Sequence, residues 1–309
     1  MSETVEQRAA GAPGDRSGAS ADGTPREAPF SLTYEVFGNE AGRDGKPIPA
    51  TATTVESEPP RVVRTVFRDG SALEDIAVGR FEMPLEPQEV SEVLELVRAV
   101  RLDAMGAGRA GIPGIARIEW SYRQRARRFQ AVYTTRESAM VEQAMPLTER
   151  LRELGRRSRS HPVSAVRFSL ATVREDGGVR FRVRAESIGT KPALIHDFRL
   201  HPLEGEPVSA RVRLTEFVDP NQPAQFEQAW RDLAFEKPDE EGSPFIELAP
   251  GETHSATTGV WTDGQAGTKY IACACIHDLH GPPVLAPEEA GGAVPVRGMA
   301  RSSEHEFTF

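Results

Sequence analysis

Thiols and imidazoles recur along Cys273-Ala-Cys275-Ile-His277-Asp-Leu-His280. Thiolate sulfur and imidazole nitrogen are the ligands that Zn2+ and Cu+ prefer, and four of them suffice to close a tetrahedral site. On a strand, residues two apart face the same way, so Cys273, Cys275 and His277 share a face. Distance opposes the idea. Positions two apart on one strand lie roughly 6.5–7 Å apart at the backbone. Sulfurs on one zinc ion lie about 4 Å apart, given Zn–S bonds near 2.3 Å. A metal would therefore require the strand to bend. Cysteine is also a common small buried residue. The sequence predicts structural cysteines and no cofactor, with a zinc- or copper-binding or redox role for Cys273, Cys275, His277 and His280 as the alternative.

The second cluster is positive. Arg123, Arg125, Arg127 and Arg128 crowd one short stretch, with Trp120, Tyr122 and Phe129 beside them. Arg150, Arg152, Arg156, Arg157 and Arg159 extend the run further along the chain. Basic residues interleaved with aromatics can track a nucleic-acid backbone while bases stack on the rings. Two observations favour an anionic protein partner instead. The chain carries a formal net charge of −9, which opposes general attraction to nucleic acid or to an anionic membrane surface. Strand alternation also puts Trp120 and Tyr122 on one face, towards a core. Arginine is abundant throughout: of 37 basic residues only Lys46, Lys191, Lys237 and Lys269 are lysine, a skew that looks like the codon bias of a GC-rich bacterial genome.

Signatures of catalysis are missing. The chain has no Gly-x-Ser-x-Gly elbow, no Gly-x-x-x-x-Gly-Lys phosphate loop and no His-Glu-x-x-His. Gly106-Ala-Gly108-Arg-Ala-Gly111 matches the dinucleotide fingerprint in letters, yet it follows a helical pattern and Ile112-Pro113-Gly114 comes next, the wrong context for that motif. His196-Asp197 and His201 have no nucleophile that sequence can assign to them.

The elements that must hold these clusters fall into two groups. Residues 1–29 are rich in Gly and Pro and poor in apolar side chains, which predicts a disordered tail. They contain no apolar run of the length an export signal needs, and no stretch of about 20 apolar residues occurs elsewhere. With only two cysteines, the expectation is a soluble cytoplasmic protein with no membrane contact. Residues 30–155 predict a small α+β domain. Phe30–Phe37 alternates as a strand, Gly38–Pro60 predicts a Gly/Pro-rich surface loop, and Val62–Phe67 with Ile76–Phe81 predicts a hairpin. A helix starts at Pro87, capped by Glu86, and its stripe is Val90, Val93, Leu94, Val97 and Val100. Arg117–Tyr122 and Arg128–Thr135 predict a second hairpin, and Pro146–Leu154 a helix stopped by Gly155. Polar residues 156–162 predict a linker. From 163 to 309, short alternating strands predict an all-β sandwich, with one helix over Pro223–Phe235.

Three phrases carry a resemblance. Arg180-Phe-Arg-Val-Arg-Ala-Glu-Ser-Ile-Gly189, Leu248-Ala-Pro-Gly-Glu252 and Gly267-Thr-Lys-Tyr270 resemble turn phrases of bacterial immunoglobulin-like modules that mediate adhesion or assembly. Ser187 stands where those modules usually have Asn. The resemblance implies a sandwich in which a tyrosine closes a corner, and it implies no reaction. The order of elements in residues 30–155 is similar to small protease inhibitors of the emfourin type, although Phe37-Gly-Asn39 replaces the Ser-Gly-Gly phrase of that family. The combined expectation is a non-catalytic protein-binding or assembly protein acting through its sandwich and its Arg-rich hairpin. A metal-binding or redox protein, or a protease inhibitor, is the alternative.

Overall fold

A computed structural model describes residues 28–41, 47–66, 77–101, 117–124, 127–134, 142–197, 199, 210–217, 231–237, 243, 245–278, 294–296, 298–302 and 304–309. The strands are β1 (Phe30–Ala41), β2 (Pro47–Ser57), β3 (Pro60–Val66), β4 (Ala77–Pro84), β5 (Arg117–Gln124), β6 (Arg127–Thr134), β7 (Pro162–Glu175), β8 (Gly178–Ser187) and β9 (Ala193–His196). They continue with β10 (Ala210–Glu216), β11 (Arg231–Leu233), β12 (Phe245–Leu248), β13 (Thr253–Thr257), β14 (Lys269–Asp278), β15 (Val294–Pro295), β16 (Gly298–Arg301) and β17 (His305–Thr308). The helices are α1 (Pro87–Val100) and α2 (Met145–Arg157). The chain is thus mostly antiparallel β with two short helices. Among the described residues no helix is long and apolar enough to cross a membrane.

One sheet of nine strands runs in the order β13-β8-β7-β4-β3-β2-β1-β5-β6. Within it β4 pairs with β7, Ala77 opposite Arg167 and Val78 opposite Val166, which joins the two parts of the chain through main-chain hydrogen bonds. Two hydrophobic clusters grow on this sheet. The first packs Leu32, Tyr34, Val55, Val62 and Trp120 against the buried stripes of α1 and α2. The second packs Phe168, Phe181 and Val183 against Val212 and Leu214 of β10 and Ala272, Ala274 and Ile276 of β14. β10 and β14 belong to a second sheet, β11-β10-β14-β16 with β17 also on β14, and β12-β9-β15 forms a small third.

Helix α1 follows the sequence pattern. Glu86 and Glu89 close a reciprocal capping box, Pro87 opens the helix, and Val90, Val93, Leu94, Val97 and Val100 are its buried residues. It ends on Arg101, which takes a left-handed conformation. The two hairpins also form, with Arg61 opposite Pro84 and Arg117 opposite Thr134.

Elsewhere the structure corrects the expectations. The predicted loop over Gly38–Pro60 contains β2, paired with β1 and β3, with Thr53 and Val55 buried. Its Thr-Ala-Thr-Thr-Val run is β-branched and suits a pleated surface, a signal masked by the flanking Gly and Pro. Strand β7, at 14 residues the longest among the described residues, begins where the sequence predicts only a domain start. Helix α2 does not stop at Gly155 but continues to Arg157. A single 3-10 turn, Ser158–Ser160, then leads into β7, and Ser158 is fully buried with its hydroxyl donating to the Gly155 carbonyl at 2.9 Å. The predicted helix over Pro223–Phe235 fails where it can be seen, because Arg231–Leu233 is β11 and Phe235 bridges to Thr258. The tail, residues 1–27, lies outside the described residues, as do His201 and the Gly106–Gly111 phrase.

Candidate functional site

Directly opposed residues on five adjacent strands form one row across the sheet: Trp120, Tyr34, Thr53, Arg64 and Phe81. Arg64 is the anomaly in that row. Strand β3 alternates Val62, Arg64 and Val66 towards the interior, so a guanidinium occupies a core position, only 9% exposed. Burying a charge is costly unless a counter-charge or polar partner meets it, and Arg64 is not left without one.

Helix α2 lies over this row, and Gly155 is the reason it can. A β-carbon at 155 would sit 2.6 Å from Arg64 Nη1 and 3.0 Å from Thr53 Oγ1. Any larger residue would push α2 off the sheet or displace the guanidinium. Further along α2, Arg152 lies 5.9 Å from the centre of the Tyr34 ring and donates from Nε to the Tyr34 hydroxyl at 3.2 Å. Burial pushes the Tyr34 phenol above its ordinary value against the opposing pull of Arg152 and Arg64. The phenol therefore keeps its proton.

Between α2 and strands β1 to β3 opens a cavity of about 950 Å3. Five arginines and two glutamates line it: Arg64, Arg150, Arg152, Arg156 and Arg159 against Glu149 and Glu153, a formal excess of three positive charges. Arg150 is held structurally, with Glu92 at 2.8 Å, Glu153 at 2.7 Å and Glu89 at 3.4 Å. Arg157 also bonds to Glu89, so these ion pairs clamp α1 to α2. Hydrogen bonding from Arg157 holds the Glu89 carboxyl below its usual range, with burial opposing. Arg156 and Arg159 line the groove as well and are exposed. Guanidinium forks match carboxylate and phosphate oxygens in plane and spacing, and the Tyr34 hydroxyl has a proton to donate beside them. The arrangement sets hydrogen-bond donors of the kind that suit an anion.

The residues singled out in the sequence are placed as follows. Trp120 and Tyr122 are buried, the first tilted on Tyr34 and the second stacked on Phe30, each at 5.9 Å between ring centres. Their rings offer no surface on which a base can stack. Arg123 is exposed at the end of β5, opposite Ser31. Arg125 and the side chains of Arg127 and Arg128 lie outside the described residues. Register puts the hairpin turn beside Phe30, whereas the groove is lined by Tyr34 and Val36 further along β1. The hairpin arginines and the α2 arginines are therefore separate groups.

Cys273 and Cys275 are buried and not joined by a disulfide. Their sulfurs approach to 3.9 Å, although β14 pairs with β10 from Tyr270 to Ile276 without a break in register. The expected bend is not needed, because the side chains lean together on an unbroken strand. The His277 side chain and His280 lie outside the described residues, and among the described residues no group of three metal-ligating side chains forms. Asp197 serves a structural pair. Burial pushes its carboxyl up, but hydrogen bonds from Arg199, 2.6 Å at the closest, outweigh that and hold it below its usual range.

Tyr34, Thr53 and Arg64 were not singled out by residue type or spacing. One signal was available: a charged residue at the inward phase of Val62-x-Arg64-x-Val66. Comparison with protein-family models and with curated proteins finds no match for this chain.

Proposed function

We propose that this is a non-catalytic binding protein that captures an acidic segment of a partner protein in the groove between α2 and the sheet. The observation that carries the reading is the buried Arg64 guanidinium at the base of a large cavity lined by further arginines. An extended acidic peptide fits this chemistry. Its carboxylates pair with Arg152, Arg156 and Arg159, and one reaches down to Arg64 and the Tyr34 hydroxyl. The exposed arginines steer association, and the buried one fixes affinity and register.

The second part of the chain is read as an immunoglobulin-like scaffold. Two contacts support this. The Tyr270 hydroxyl accepts a hydrogen bond from the Gln265 amide at 3.0 Å, and Trp261 packs edge-on against Tyr270 at 4.9 Å. The turn at Leu248-Ala-Pro-Gly-Glu252 is bonded to the end of β8, with Gly251 and Ser187 joined at 2.9 Å and Gly251 in the left-handed conformation that glycine tolerates.

The test is fluorescence anisotropy with a labelled oligoglutamate peptide, an oligolysine control and inorganic phosphate as competitor. Arg64→Met should weaken the peptide by about 2 kcal/mol or more, and Arg152→Glu with Arg156→Glu should abolish its salt-sensitive association. Arg125→Glu with Arg127→Glu should leave it unchanged. Peptide binding that survives the groove variants and falls with the hairpin variant would move the surface to β5 and β6. Binding of phosphate in preference to peptide would replace the protein partner by a small anion.

A further inference from the structure

Strands β7 and β8 bury alternate residues against the second sheet, Phe168, Phe181 and Val183 among them, and turn the residues between to the sheet's other face. That face is basic. Arg167, Arg182 and Arg184 stand on it and are exposed, and among the described residues none of the three is held in an ion pair. Their neighbours are small. Arg184 lies between Ser169 of β7 and Ser255 of β13, and Arg182 between Ala171 and Thr257, so the adjacent strands set no carboxylate beside either guanidinium. Glu186, opposite Arg167, is the one acid in the rows from Arg167 to Arg182. At the far end Arg180 is already held by Glu175 and Glu236. Register puts these arginines on the groove's side of the sheet. Phe81 belongs to the Arg64 row, Ala77 lies on β4 in the same phase as Phe81, and Ala77 opposes Arg167. We propose that the β7–β8 face is a second docking surface, which holds the partner's acidic segment where it continues beyond the groove.

Spacing and charge decide what fits. Arg182 and Arg184 are two apart on one strand, roughly 6.5–7 Å. An extended polypeptide repeats its side chains at that same interval. Carboxylates on alternate residues therefore meet successive guanidiniums, each fork able to take two oxygens. No aromatic ring stands in these rows for a base to stack on. The net charge of −9 also opposes a long nucleic acid or an anionic lipid surface, which meet the whole molecule. A short acidic segment feels mainly the charges within about 8 Å at physiological salt. One segment can reach both places. From Pro162, opposite Phe81, to Arg167 is five positions along β7, roughly 17 Å at 3.3 Å each, and about six extended residues cover that. Joining two weak contacts on one chain raises the overall affinity without any new contact. The inference rests on the reading of the groove for the identity of the partner; the second contact rests on the arginines of this face.

The experiment compares labelled oligoglutamates of six and of twenty residues by fluorescence anisotropy on the full-length protein. The long peptide should bind at least about 10-fold more tightly than the short one. Arg182→Ser with Arg184→Ser should cancel that gain and leave the short peptide's affinity unchanged. Both positions are exposed, so the urea midpoint should stay in place. Arg231→Ser with Lys269→Ser removes the same charge from exposed positions on the second sheet, where they pair with Asp263 and Glu306, and should alter neither affinity. A length gain that survives the Arg182 and Arg184 variant overturns the inference and leaves the groove reading intact. Short-peptide binding that ignores Arg152→Glu with Arg156→Glu, while the long peptide still depends on Arg182 and Arg184, supports this face and overturns the groove instead. Tighter binding of a twenty-nucleotide oligothymidylate, or of phosphatidylserine vesicles, lost in the Arg182 and Arg184 variant, would replace the acidic polypeptide by another polyanion and overturn the proposal.

Discussion

At the residue scale, the structure turns on side chains placed against their type. Arg64 sits where valine would be ordinary, and Gly155 sits in a helix where alanine would be preferred. Alanine at 155 gains about 1 kcal/mol of helix propensity, yet its methyl must displace Arg64 Nη1 and crowd Thr53, and overpacking costs about 1–3 kcal/mol. Gly155→Ala should therefore lower stability by about 1 kcal/mol in urea denaturation and weaken the oligoglutamate complex. An alanine variant that is more stable would show that Arg64 swings aside freely. Glu89 gives a pH signature with a defined sign. Its folded value lies below the ordinary 4.5, so its contribution is fully present above that value and is lost as the pH falls through the folded one. Glu89→Gln should flatten the fall in thermal midpoint below about pH 4.5, while leaving the midpoint's remaining pH dependence intact.

At the element scale, the clamp between α1 and α2 rests on apolar stripes and on Arg150 and Arg157. Leu151 is fully buried under α1 and the sheet. Leu151→Ala should cost about 2–5 kcal/mol and open the groove, read as a lower urea midpoint together with loss of peptide binding. Legibility differed between elements for physical reasons. Helix α1 could be read because its cap, its proline and its stripe all point to one answer. Strand β8 could be read because charge and apolarity alternate strictly from Val179 to Ala185. Strand β2 was hidden because threonine hydroxyls mimic a polar loop, and β7 because its middle, Ser169-Leu-Ala-Thr172, lacks a clean polar phase. The groove was beyond reach for a different reason. Its members come from β1, β2, β3 and α2, and only the pairing register aligns Tyr34, Thr53 and Arg64 in one row. The 3.9 Å approach of the two sulfurs is likewise a matter of side-chain direction, which residue spacing does not encode.

At the scale of the whole molecule, the polar stretch 156–162 marks a change in composition without an interruption of the sheet. Both hydrophobic clusters are built on the same nine strands, and β4 with β7 is the seam. The two should unfold together. Phe181→Ala, a truncation of about 3–5 kcal/mol in the second cluster, should speed hydrogen exchange of the α1 amides in the first by a comparable free energy, as measured by mass spectrometry. Protection of α1 that is indifferent to Phe181 would show that the seam yields before either cluster does. The same seam has a practical corollary. A polypeptide starting at residue 163 would present the backbone of β7 with no neighbour where Ala77–Phe81 now lie, a row of donors and acceptors open to any strand that comes by. The two portions, produced separately, are suited to act as a split pair. Each supplies the missing neighbour of the other, and strand exchange at this position would report on whether they have met.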